Sequence, residues 1–280
     1  MITNGPESEI SLPTYFISHG GGPWPWMSKE MPDVYDKLEQ SLKRMSNEIG
    51  ITPTAILAVS GHWEARDFTI MTSVAPPMLY DYSGFPEHTY QIKYSAQGSP
   101  AVAHRVQELL TLAGIQTRTD KTRGFDHGVF APFAVAYPEA NVPILQLSIR
   151  QDYDPEAHLQ VGRALAPLRQ EGVLIVGSGL SYHNLRVFGP QARIPSQEFD
   201  TWLTEAVCTV RTEERNLRLR NWSHAPSARL AHPREDHLIP LMVAVGAAEE
   251  ESGVRVYHED SFFGGIAVSS FRFGTVTASS

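Results

Sequence analysis

The chain has 280 residues, 42% hydrophobic and 19% charged, with a formal net charge of −8. That apolar share is near the globular average of about 45–50% and excludes a disordered chain; the interspersed charges form no basic stripe for nucleic acid or an anionic membrane surface. A lone cysteine, Cys208, excludes an intramolecular disulfide, and no apolar run reaches the ~20 residues that span a bilayer.

The opening MITNGPESEI lacks the basic and apolar regions of a signal peptide, so a soluble protein of a reducing compartment, the cytoplasm, is expected. Residues 1–12 read as a polar, flexible lead-in to one domain over 13–280. TYFIS (14–18) is short and rich in β-branched and aromatic residues, the signature of a buried strand. Residues 29–48 carry apolar positions at helical spacing, from Met31 through Leu38 and Leu42 to Met45. TAILAVS (54–60) and FTIMTS (68–73) read as further strands.

Residues 75–100 form a long, aromatic, turn-rich stretch; loops longer than ~12–15 residues in a compact domain are usually functional or disordered, and the aromatic content argues against disorder. Ser99-Pro100 caps a helix over 101–113. GFDHGVFAPF (124–133) interrupts before a strand at 142–149. A helix over 155–170, the strand VLIVGSG (173–179) and a helix over 197–215 follow. HPREDHLIPLMVAVGAA (232–248) is a short loop entering an apolar helix. The C-terminal SFFGGIAVSSFRFGTVTA alternates as a hairpin or sheet edge does.

Strand and helix alternate with no Gly/Ser linker and no internal repeat. The expected fold is a single α/β domain, a central mostly parallel sheet with helices on both faces. Ligands of such sheets bind outside the carboxyl ends of the strands.

Histidines gather at those ends. Of the eleven, His19 follows TYFIS, His62 follows TAILAVS, His183 follows VLIVGSG after a turn, and His237 precedes LIPLMVAVG. His127 sits between glycines in GFDHGVF. Neighbouring strands lie ~4.8 Å apart, so imidazoles from two or three ends can converge on one metal, and imidazole suits iron, zinc and copper. His88, His104, His158, His224 and His258 fall on helix faces or polar loops and read as structural. His232 competes with His237 for a third ligand position, and spacing leaves both open. Trp24, Trp26, Trp63, Phe85 and Tyr182 are candidates for apolar walls around a flat ring, with ordinary core packing the competing reading. Asn184 is placed to fix His183 or to cap a turn.

Taken together, HGGGP (19–23), SGHW (60–63), GFDHG (124–128), HNLR (183–186) and EDHLIPL (235–241) resemble, in order and approximate spacing, the class III extradiol ring-cleaving dioxygenases. The stretch from Tyr82 to Leu110 is similar to the DOPA 4,5-dioxygenase-type branch, so the resemblance spans nearly the whole chain. It implies a non-haem metal, normally Fe(II), that binds a catechol and O₂. By position His19, His62 and His237 match the metal ligands. His183 matches the acid/base beside the metal, and His127 a second pocket histidine that orients substrate or dioxygen. Many extradiol enzymes use two histidines and a carboxylate; here the third position is a histidine, which also suits zinc. Zinc passes no electrons, so ring cleavage calls for iron even where zinc is bound. The implied partners are a small aromatic catechol and O₂, with no nucleic acid or membrane; the oligomer, monomer or dimer, is left open. Two other classes use the same histidine pocket: a zinc hydrolase, and a non-catalytic binding protein on the same fold.

Overall fold

The strands are where the apolar runs put them. In the computed structural model, which describes residues 11–276, the first half of the chain forms β1 (Thr14–Ser18), α1 (Asp36–Ile49), β2 (Ala55–Ser60), β3 (Glu64–Ala65), β4 (Phe68–Met71), α2 (Pro100–Leu112), β5 (Thr117–Asp120) and α3 (His127–Ala136). The second half forms β6 (Ile144–Gln146), β7 (Ile149–Arg150), α4 (Pro155–Leu165), β8 (Val173–Gly179), α5 (Arg193–Cys208), α6 (Thr212–Arg220), the one-turn α7 (Ala228–Ala231), α8 (Ile239–Ala247), β9 (Gly253–Phe262) and β10 (Ile266–Phe273).

Six strands make the main sheet in the order β6-β2-β8-β1-β10-β9. The first four run parallel, and the C-terminal hairpin adds antiparallel on β1, with Thr14 opposite Phe273. Every residue of β1, β2 and β8 is buried, as expected for parallel strands covered on both faces. Successive residues of β8 show the two covers. Gly177 and Gly179 face residues 237–240, where a Cβ would collide with the carbonyls of Pro240 and His237. Ser178 points the other way and donates to the Gly128 carbonyl of α3. Small side chains here bring α8 and α3 against opposite faces, and α8 is buried along its whole length. The sequence's mostly parallel, single-domain α/β fold is the observed one.

Several boundaries differ from expectation. The helix expected from residue 29 starts at Asp36, because Asp33 takes a left-handed backbone (φ 63°) just after Pro32. GFDHGVFAPF does not simply interrupt: from His127 onward it forms the start of α3, with Pro132 inside the helix. Burial of eight of its ten residues offsets the hydrogen bond that a proline removes. The strand expected at 142–149 splits, since the Leu147 amide donates to Ala58 and the Ser148 amide to Thr69, on different strands. The helix expected at 197–215 is two, α5 and α6. The helix expected over 155–170 gives way after Leu165 to a 3₁₀ turn. Residues 1–10 of the expected lead-in lie outside the described residues; Leu12 is buried and its carbonyl accepts from Arg169 Nε at 2.6 Å. No helix among the described residues is long and apolar enough to cross a membrane.

Candidate metal centre

Each of the five histidines is delivered by the end of a core element. His19 is the first residue past β1. Gly20 (φ 79°) and Gly22 (φ 53°) then turn the chain back in a conformation open to glycine. Trp24 Nε1 donates to the His19 carbonyl at 2.7 Å, which pins the turn. His62 lies two residues past β2. Its amide donates to Ser60 Oγ at 3.1 Å, and that hydroxyl donates to the buried Asp126 at 2.7 Å. His127 opens α3. His183 follows β8 with its amide bound to the Ala231 carbonyl at 2.9 Å. His237 precedes α8 and is tied to β8 through its carbonyl, which accepts from the Leu180 amide at 3.1 Å.

The rings meet. His62 Nε2 and His237 Nε2 are 3.1 Å apart. The His19 ring centre lies 4.9 Å from that of His62 and 5.2 Å from those of His127 and His237. His62 and His127 are 4.0 Å apart, and His183 stacks on His237 at 3.4 Å with a 17° tilt. His19 is only 1% exposed, and neither ring nitrogen has a hydrogen-bond partner. A buried polar group left bare is costly. A cation held by converging imidazole lone pairs removes that cost, so these residues fit a metal. Ligand atoms group as His19, His62 and His127, and as His183, Asp236 and His237; the His62–His237 contact joins the two groups.

Electrostatics keeps four of the rings, those of His19, His62, His183 and His237, neutral. Burial, then the neighbouring imidazoles, pushes His19, His62 and His237 well below the usual histidine range. Burial likewise lowers His183 to about 4, with His127 and Arg234 adding to it. Neutral imidazole is the ligating form. Asp81 sits between two of the rings: Oδ1 takes His127 Nδ1 at 2.9 Å and the His127 amide at 3.0 Å, while Oδ2 lies 3.3 Å from His62 Nδ1. Burial would raise the Asp81 carboxyl, but the His127 contacts outweigh it and hold it below its ordinary value. A carboxylate that holds Nδ1–H turns Nε2 toward the site. Asp236 lies 3.0 Å from His237 Nδ1 without hydrogen-bond geometry, and burial pushes it up to about 6.

A cavity of about 430 Å³ opens on the histidines. Phe85 and Tyr182 are among the residues that line it. Trp24 and Trp63 do not, which corrects the expectation for both. Trp24 is buried behind the glycine turn and stacks on Tyr35 at 4.8 Å. Trp63 is buried under the Arg123 guanidinium, 5.0 Å from its ring. His232 is withdrawn from the cluster: it contacts the Ser181 carbonyl at 3.0 Å and lies beside Phe199 and Trp222. Asp81, Tyr35, Tyr82 and the hairpin residues Phe262 and Phe263 were not among the site residues expected from the sequence. The long aromatic loop around DYSGF was the available signal for Asp81 and Tyr82.

Residues 13–274 match the family described as the catalytic LigB subunit of aromatic ring-opening dioxygenase. The chain is 39% identical over 274 residues to a 4,5-DOPA dioxygenase extradiol of Beta vulgaris, covering 96% of this chain and 98% of that one. It is 34% identical over 284 residues to the dioxygenase tasH of Hapsidospora irregularis, covering 94% and 85%. Among solved structures, an uncharacterized Escherichia coli K12 protein, JW3007, superposes with a TM-score of 0.76 at 28% identity, covering 94% of this chain and all of that one.

Proposed function

The chain belongs to the class III extradiol ring-cleaving dioxygenases, the family of the catalytic LigB subunit, and from that premise we propose which residues do the work and on what. The substrate is a catechol-type ring, opened beside its hydroxyls. The carbon–carbon bond breaks, both atoms of O₂ enter the product, and no further reductant is needed. His19, His62 and His237 hold the metal, which is Fe(II) in the active protein. The observation that carries this reading is the bare, fully buried His19 ring beside His62 and His237. Bound there, iron lowers the pKa of a phenol from about 10 and gives electrons a path between ring and O₂, which zinc does not.

The chain's own residues position and move protons. His183, stacked against His237 and partly exposed to the cavity, takes the remaining catechol proton and returns it to the departing oxygen. His127, held at Nδ1 by Asp81, turns Nε2 to the cavity and orients the ring oxygen or dioxygen. Phe85 and Tyr182 wall the ring and exclude water. The family relation does not favour a zinc hydrolase or a non-catalytic binder.

The test is anaerobic reconstitution with Fe(II), then O₂ with a catechol panel including L-DOPA, the compound in several relatives' names. The expected result is O₂ uptake matched one to one by a product absorbing in the visible, and none from the zinc-loaded protein. Iron-replete protein inert toward the whole panel overturns the reading, and activity that persists without O₂ points to hydrolysis.

A further inference from the structure

Resting on the ring-cleaving reading, we infer that the catechol this site takes carries an uncharged hydrocarbon substituent rather than a carboxylate or amino-acid tail, because among the described residues lining the cavity no side chain is acidic, lysine or arginine. An apolar cavity of roughly 150 Å³ holds a benzene ring, and this one measures about 430 Å³. The cavity is therefore larger than the ring alone needs. Tyr35, Phe188, Phe262 and Phe263 form a continuous aromatic wall, with ring centres 4.7 to 5.8 Å apart. Leu185, 72% exposed, stands on the lining as well.

The polar atoms on that wall are already committed. The Tyr82 hydroxyl donates to the Thr89 carbonyl at 2.7 Å and the Tyr182 hydroxyl to the Val187 carbonyl at 2.6 Å. The Tyr35 hydroxyl meets the Gly21 backbone. Of the charges near the site, Asp81 is committed to His127 and His62, Arg123 to Asp126 and Arg234 to Glu64, while Asp236 sits behind His237 and does not line the cavity. Arg186 follows Leu185 but is exposed and does not line the cavity. A carboxylate or ammonium group carried in with the ring would lose its water and gain no partner, whereas each buried methylene gains affinity.

The test compares tails of one length. With the iron-loaded full chain, kcat/KM for 4-propylcatechol is expected to exceed that for 3,4-dihydroxyphenylpropanoate and for L-DOPA by at least tenfold. Calorimetry of the metal-free protein should give the same order of binding for the first pair. Leu185→Arg, at an exposed position that tolerates a long side chain, should narrow the ratio by improving the propanoate. Equal or better kcat/KM for either charged catechol overturns the inference and leaves the dioxygenase reading standing. If the iron-loaded protein cleaves no catechol, that reading falls instead, and calorimetry alone decides whether the cavity prefers the hydrocarbon tail.

Discussion

His158 and His19 are both buried imidazoles, and burial pushes both below the usual histidine range. At His158 both nitrogens are used: Nδ1 donates to the Asp154 carbonyl at 2.7 Å, and Nε2 accepts from the Arg150 amide at 3.0 Å. At His19 neither is. One ring closes a helix start against a strand, and the other is left open at the end of the sheet. Burial and titration behaviour fail to tell these regions apart, and the hydrogen-bond inventory does. A satisfied buried histidine is architecture, and an unsatisfied one among other imidazoles marks a place for a ligand.

Substitutions should break that comparison in order of size. His19→Ala is expected to abolish metal binding and bring O₂ uptake to background while the far-ultraviolet circular dichroism stays native, as read by metal analysis on the purified protein. Full metal content in that variant would remove His19 from the ligand set. His183→Gln should keep the metal and lower kcat by about 10²–10⁴-fold, the span of general acid–base catalysis; loss of iron together with activity would make it a ligand instead. Asp81→Asn should weaken metal affinity by about 10–100-fold, as loss of a partner behind a ligand does, measured by chelator competition.

His158→Gln tests the other side. It should cost about 2 kcal/mol of stability for two disturbed hydrogen bonds, with metal content and kcat unchanged. Its pH dependence sharpens the contrast. The native His158 pKa is about 4, against about 6.5 in an unfolded chain. Below pH 6.5 the unfolded state takes up a proton that the native state refuses, so stability falls as pH drops toward 4, by at most about 1.4 kcal/mol per unit. The variant's melting temperature should therefore fall less steeply than the parent's between pH 6.5 and 4.5. Identical slopes would show that His158 is not the group titrating.

Much of this was legible in the chain itself. The three central strands read directly because they are short, mostly apolar runs that end at glycine or serine, and His19 and His62 stand just beyond two of them. α3 was obscured because Gly128 and Pro132 signal a break. Both fit only because of partners distant in sequence: a Cβ on Gly128 would meet Ser60 and His62. Asp81 was hidden for a similar reason. Nothing local in LYDYSGF says that its carboxylate will meet residues 62 and 127. Trp24 and Trp63 misled because an aromatic side chain beside a ligand has two directions to point, and sequence does not choose between them.

β1 comes far earlier in the chain than either of its neighbours, yet it lies between β8 and β10, and Phe16 pairs with Phe271. At about 5–20 residues per second on the ribosome, its permanent neighbours emerge roughly ten seconds to nearly a minute after it. During that interval the strand is an open edge of the kind that invites mispairing, and the chelating pocket is missing the side that carries His237. The three-imidazole site is therefore complete only once the segment that carries His237 has been made.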